Sequence, residues 1–206
     1  MTGHGPNGAD DPTRPSKPAE ILMSENTISL TTTSLEMTER PTRPAPPPPH
    51  LNHPVMLVHA EKPTLSFYRY LYDTIGAEWL WYERRVMDNE TLTAIIHDDE
   101  VFIYVLYAGG VPAGYVELDC RKHPDVEVAY LGVIPEFIGC GLGGRLVNWA
   151  LESAWSREPD RVWIHTCNFD HPAALPLYQK AGFVPFSQET TEIPDPRPLP
   201  CFRTGV

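Results

Sequence analysis

One stretch constrains the fold more than any other: a strand pattern passes directly into a glycine-rich loop and then into a helix pattern. The strand is Val126-Glu-Val-Ala-Tyr-Leu-Gly-Val-Ile134, and the loop is Pro135-Glu-Phe-Ile-Gly139-Cys-Gly141-Leu-Gly143-Gly144. In the helix, Leu142, Leu146, Trp149, Ala150 and Ser153 share one face, and Val147, Leu151 and Ala154 widen it, so burial is expected. Glycines at 139, 141 and 143 permit unusual dihedrals and clear side chains from the inner surface of the loop. A phosphate can then approach exposed amides at the helix N-terminus, where the helix dipole also favours negative charge. Two common phosphate motifs do not account for the loop. It has no GK[ST] of a P-loop. Gly139-x-Gly141-x-x-Gly144 has dinucleotide-binding spacing, but that motif belongs after an early strand of a parallel sheet. This strand is fourth in the order read and follows a tight hairpin.

The elements around the loop are legible from their periodicity. Val55-Met-Leu-Val-His-Ala60 suits a buried strand, and Pro63-Thr64 opens a helix with Leu65, Tyr68, Leu71 and Tyr72 at spacings of three and four. An aromatic cluster, Trp79 to Tyr82, follows Gly76. Asp88 or Asn89 caps a second helix with Leu92, Ile95 and Ile96 inward. Val101 to Tyr107 turns through Ala108-Gly-Gly110 into Val111 to Leu118, a hairpin. Arg161-Val-Trp-Ile-His-Thr-Cys167 is a further strand, and Ala173 to Ala181 is a helix ending at Gly182, a suitable C-cap.

Composition divides the chain near residue 50. Ten of its 23 prolines fall in the first 50 residues, which carry no aromatic residue and end in a proline run from Pro41 to Pro49. That composition offers little to bury, so residues 1–50 are expected to be a disordered, proline-rich tail: a linker or a docking peptide for a proline-reading module. Its removal is expected to leave the fold intact. Residues 51–206 are enough for one core. A net charge of -11 argues against non-specific nucleic-acid binding. The absence of an 18-residue apolar run argues against a membrane span, and no secretory leader pattern opens the chain. Cys120, Cys140, Cys167 and Cys201 have no zinc-ligand spacing, so they read as free thiols in a reducing cytoplasm, with no metal.

The last block brings the pieces together. Val133-x-Pro135, then Gly139-x-Gly141-x-Gly143 with Leu146, then Asn168, Ala174, Leu177-Tyr178 and Ala181-Gly182-Phe183 resemble the GNAT superfamily of acyl-CoA-dependent N-acetyltransferases. The resemblance spans residues 53 to about 190, with three matched blocks in order. It implies an α/β (α+β) fold: a mixed, mostly antiparallel sheet of six to seven strands flanked by about four helices. It also implies transfer of an acetyl group from acetyl-CoA to a primary amine by direct attack. The acceptor would be a small amine or a protein amine, and a homodimer is compatible with the family. The alternative is a catalytically idle acyl-CoA-binding regulatory module. Two residues depart from the pattern: Ile138 stands where a Gln or Arg usually precedes the first loop glycine, and Pro176 lies inside the last helix. The first is expected to weaken coenzyme A binding, and the second to kink the helix slightly.

Residue by residue, the resemblance implies a coenzyme A site made of the backbone at Leu131 and Val133, the loop Gly139, Cys140, Gly141, Leu142, Gly143 and Gly144, the first-turn Arg145, and Asn168 against the pantetheine amide. Tyr178 matches the tyrosine that protonates the departing thiolate. For the base, Glu127 lies eleven residues before Ile138, where histone-type members carry a glutamate, and Glu117 on the preceding strand is a second candidate. If both faced the cleft, two nearby carboxylates would raise one pKa, as a base for an ammonium needs. A solvated strand face or a water chain is the alternative. His165 and His171 are read as structural, and Asp170 as a helix cap. Acceptor access falls to the first two helices and their loop: Phe67, Tyr70, Trp79, Trp81 and Tyr82.

Overall fold

The pairing of strand Asp125–Val133 with strand Arg161–Cys167 sets the shape of this molecule, because among the described residues it is the sole parallel pair of the sheet and the shortest. The computed structural model describes residues 26–42 and 54–203. Among them the strands are β1 (Thr27–Met37), β2 (Val55–His59), β3 (Val101–Ala108), β4 (Val111–Asp119), β5 (Asp125–Val133), β6 (Arg161–Cys167) and β7 (Val184–Pro194). The helices are α1 (Leu65–Gly76), α2 (Glu83–Val86), α3 (Asn89–Ile96), α4 (Leu142–Trp155), α5 (Ala174–Ala181) and α6 (Pro200–Arg203). The mixed, mostly antiparallel sheet agrees with expectation, with order β2-β3-β4-β5-β6-β1-β7. Four longer helices flank it, as expected, with two more, α2 and α6, of only four residues each.

Local chemistry explains most boundaries. The Thr64 hydroxyl accepts the Phe67 amide at 3.3 Å and starts α1, and Asp88 accepts the Thr91 amide at 2.8 Å and starts α3. Gly109 and Gly110 both have positive φ, as a tight hairpin of this hand requires. Pro176 sits in the first turn of α5, where no intrahelical bond needs its missing N–H, so the helix is continuous.

The sheet separates two cores. On one face Val116, Leu118, Val126, Val128, Val162 and Ile164 pack beneath Leu142, Leu146, Ala150 and Leu151 of α4. On the other, Ile103, Val105 and Tyr115 pack beneath Tyr68, Leu71 and Tyr72 of α1 and Leu92 and Ile96 of α3. Gly132 lets α1 approach β5: a Cβ there would lie 2.2 Å from Ile75 Cγ2.

The expected boundary at residue 50 is wrong. Thr27–Met37 lies inside the sheet, antiparallel to β6 over Thr32–Met37 and to β7 over Thr27–Glu36. Leu35 has no exposed surface and Met37 has 7%. The strand was hidden because its apolar residues are few and widely set among threonines and serines. Its strand partners are all more than 120 residues away. A composition averaged over 50 residues does not register an 11-residue strand. The proline run from residue 43 onward, like residues 1–25, lies outside the described residues.

Candidate active site

β5 and β6 pair at Asp125–Arg161, Val126–Val162 and Glu127–Trp163 and then separate. The cause is local. Leu118 of β4 pairs with Val128 and Glu117 pairs with Tyr130, which leaves Ala129 as an extra residue on β5. Such a bulge bends its strand and increases the twist. β5 therefore continues along β4 while β6 continues along β1. The wedge between them opens into a cavity of about 490 Å³.

One wall of the cavity is the glycine loop that leads into α4. Gly139 and Gly141 hold φ of 85° and 77°, and Gly141 is the left-handed N-cap of α4, with no side chain capping the helix. The amides of that first turn are thus available, at the positive end of a 14-residue helix. No atom lies within 4 Å of where a Gly139 Cβ would stand, so the loop has an open surface. Gly139, Gly141, Leu142 and Gly143 line the cavity, as do Leu131 and Val133 of β5. Cys140, Gly144 and Arg145 are not in the lining. Cys140 packs against the α4 core, the Gly144 carbonyl accepts from Asn148, and Arg145 is exposed. These residues fit a pyrophosphate held by backbone amides.

Tyr178 of α5 lines the same cavity and is 6% exposed. Burial, helped by the negative charge of Asp170, raises its pKa well above the ordinary phenol value, so the hydroxyl stays protonated and can donate.

Three other expectations are corrected. Glu117 does not reach the cavity. It is fully buried, 2.7 Å from Arg84 Nη2, and it accepts the Tyr68 hydroxyl at 2.6 Å. The supposed pair of carboxylates is therefore not formed in the cleft. Glu127 is also absent from the lining; its Oε1 lies 3.5 Å from His165 Nδ1. Asn168 ties β6 to β1 instead of facing the cleft: Oδ1 accepts the Thr31 amide at 2.9 Å, and Nδ2 donates to the Ser29 carbonyl at 3.1 Å. Of the acceptor-side aromatics, Trp79, Trp81 and Tyr82 line the cavity, whereas Phe67 packs in the α1 core and Tyr70 is 48% exposed.

Other cavity residues were missed. Asp170 does not cap a helix. It accepts the Thr166 hydroxyl and the Cys167 amide, each at 2.9 Å, and the Trp81 indole at 3.1 Å, so it fastens the β6 end to the loop that carries Trp81. Burial, then Asp170, pushes the Cys167 thiol up to about 11, which leaves it a poor nucleophile. His165 and Glu83 line the cavity, and β1 contributes Leu30 and Thr32. The signal for His165 was its phase on β6, opposite the core residues Val162 and Ile164. Nothing in the sequence indicated β1. Among the described residues no group of three or more His, Cys, Asp or Glu is placed to hold a metal. No helix there is long and apolar enough to cross a membrane.

Comparison with known proteins agrees with this geometry. Residues 65–183, more than half of the chain, match the Acetyltransferase (GNAT) family. An uncharacterised N-acetyltransferase of Methanocaldococcus jannaschii is 27% identical over 116 residues, covering 52% of this chain and 50% of that protein. The chain thus spans about half the length of this curated relative. A conserved protein of unknown function from Staphylococcus epidermidis superposes with a TM-score of 0.55 at 15% identity, over 80% of this chain and 61% of that one. The ribosomal-protein-S18-alanine N-acetyltransferase of Escherichia coli does so with a TM-score of 0.52 at 16% identity, over 63% and 77%. With the family matched across the glycine loop 139–144, the splayed strands and the helix that carries Tyr178, this chain belongs to the Acetyltransferase (GNAT) family.

Proposed function

We propose that the cleft transfers an acetyl group from acetyl-CoA to a primary amine by direct attack, without a covalent enzyme intermediate. The observation that carries this reading is the shared cavity: an uncapped helix N-terminus suited to a pyrophosphate and a buried phenol able to protonate a thiolate both line it. Between them runs the β5 edge that no longer pairs with β6. Its backbone at Leu131 and Val133 can hydrogen-bond the pantetheine arm and the thioester carbonyl as a further strand would. No covalent intermediate is invoked because the one thiol in the lining, Cys167, is held protonated.

The acceptor enters from the aromatic side, past Trp79, Trp81 and Tyr82. Among the described residues Glu83 and Asp170 are in the lining and no Lys or Arg is, and the chain carries a net charge of -11. This favours a cationic acceptor, a small amine or a protein amine, over an anionic one. Calorimetric titration with acetyl-CoA tests the cofactor half. The parent should bind, and Gly141→Val should not, because a β-branched residue is strained at φ 77° and would intrude on the phosphate position. Equal affinity in a folded Gly141→Val protein would mean that the loop is not the phosphate site.

A further inference from the structure

Acetyl transfer to an ammonium needs a proton acceptor, and neither carboxylate expected from the sequence lines the cavity. His165 does. It lies on β6 two residues beyond Trp163, the last residue paired with β5, so its ring stands where the two strands part. The side chain is 45% exposed, and its Nδ1 is 3.5 Å from Glu127 Oε1. A carboxylate facing Nδ1 fixes the proton on that nitrogen and leaves the Nε2 lone pair free. The other acidic residues in the lining are already engaged: Asp170 accepts three hydrogen bonds, and Glu83 accepts the Tyr72 hydroxyl at 3.2 Å.

We propose, on the transferase reading above, that His165 is the catalytic proton acceptor and that Glu127 is a positioning residue that orients its ring. The balance is as follows. An N–H bond of the acceptor ammonium breaks, and the proton goes to His165 Nε2. The freed lone pair forms the N–C bond to the thioester carbon. The C–S bond then breaks with its electron pair on sulfur, which takes the Tyr178 proton, and the second amine proton returns to the phenolate. The products are amide, thiol and one proton, which His165 passes to water.

The surroundings suit that role. The groups that act most on the ring are carboxylates: Glu127 first, then Asp170 and Glu83. Arg161, four residues back along β6, is held by Asp125 and Glu36, and β1 places Ser34 opposite His165. The contact with Glu127 raises the imidazole pKa from its ordinary value, against the opposing effect of burial. This makes His165 a stronger base than an unperturbed imidazole.

The test is kcat against pH at saturating acceptor, for the parent, His165→Gln and Glu127→Gln, with the His165 ring titrated by NMR in the parent and Glu127→Gln. In the parent the rate should fall on the acid side with the pKa of His165. His165→Gln should lose about 100-fold in kcat and lose that acid limb. Glu127→Gln should move both the NMR titration and the limb to lower pH, with acetyl-CoA affinity unchanged. A parent that turns over, with His165→Gln keeping its rate or its acid limb, overturns the base assignment alone. An unshifted His165 titration in Glu127→Gln overturns the positioning role. A parent inactive on every amine overturns the transferase reading and this inference with it.

Discussion

Leu35→Ala addresses the feature that composition concealed, the strand β1. Leu35 has no exposed surface, packs in the α4-side core, and sits in register between Ile164 of β6 and Pro185 of β7. Truncating a fully buried leucine removes its transfer free energy and leaves a cavity, typically about 2–5 kcal/mol in all. The two flanking strands keep their mutual register only through β1, so collapse around the gap is restricted and the upper half of the range is favoured. Against a total stability of about 5–15 kcal/mol, such a loss is large. With a urea m-value of about 2 kcal/mol/M, the unfolding midpoint should fall by about 1.7–2.5 M. Thr27→Ala, exposed at the start of the same strand, should change stability by less than about 0.5 kcal/mol. Urea unfolding followed by circular dichroism measures both variants. A Leu35→Ala midpoint equal to that of the parent would refute the argument, because a residue in a disordered tail contributes nothing to the core.

The remaining expectations concern the site. Tyr178→Phe should lower kcat by about 100-fold or more with acetyl-CoA affinity within a few-fold, because the ring that packs in the core stays; a rate within twofold would leave water as the proton source. Glu117→Gln should destabilise by about 3 kcal/mol by leaving Arg84 buried without its counter-charge, while the folded fraction keeps its turnover; a 100-fold loss of kcat in folded protein would return Glu117 to the base role. Asn168→Ala should weaken the protein by about 1–2 kcal/mol through two lost bonds to β1 and leave acetyl-CoA affinity unchanged; a tenfold weaker affinity would restore the pantetheine contact that the family resemblance implied.

What was legible in the sequence followed local rules. The loop 139–144, the α4 face and the α1 and α3 caps each depend on residues within a turn or two of one another, and each stands where periodicity put it. The failures share one physical origin: they depend on which distant element covers a given face. Glu117 alternates as a solvent-facing residue would, but Tyr68 of α1 and Arg84 of α2 close over it. Asn168 stands at a strand end, and the strand it binds begins 141 residues earlier, at Thr27. His165 gives no sequence signal beyond its phase on β6, and its chemistry appears only with Glu127 across the parting strands.

The central claim is that this cleft moves an acetyl group between acetyl-CoA and an amine, and the stoichiometry of that exchange tests it most directly. The measurement combines thiol release from acetyl-CoA with the mass of the acceptor, across small aromatic and aliphatic amines, polyamines, and peptides with free N-termini or lysines. The account predicts that at least one primary amine gains one acetyl group for each thiol released, and that Tyr178→Phe and Gly141→Val suppress both signals together. Tight acetyl-CoA binding with no acetylated product from any of these amines would contradict it and identify the fold as an idle acyl-CoA-binding module.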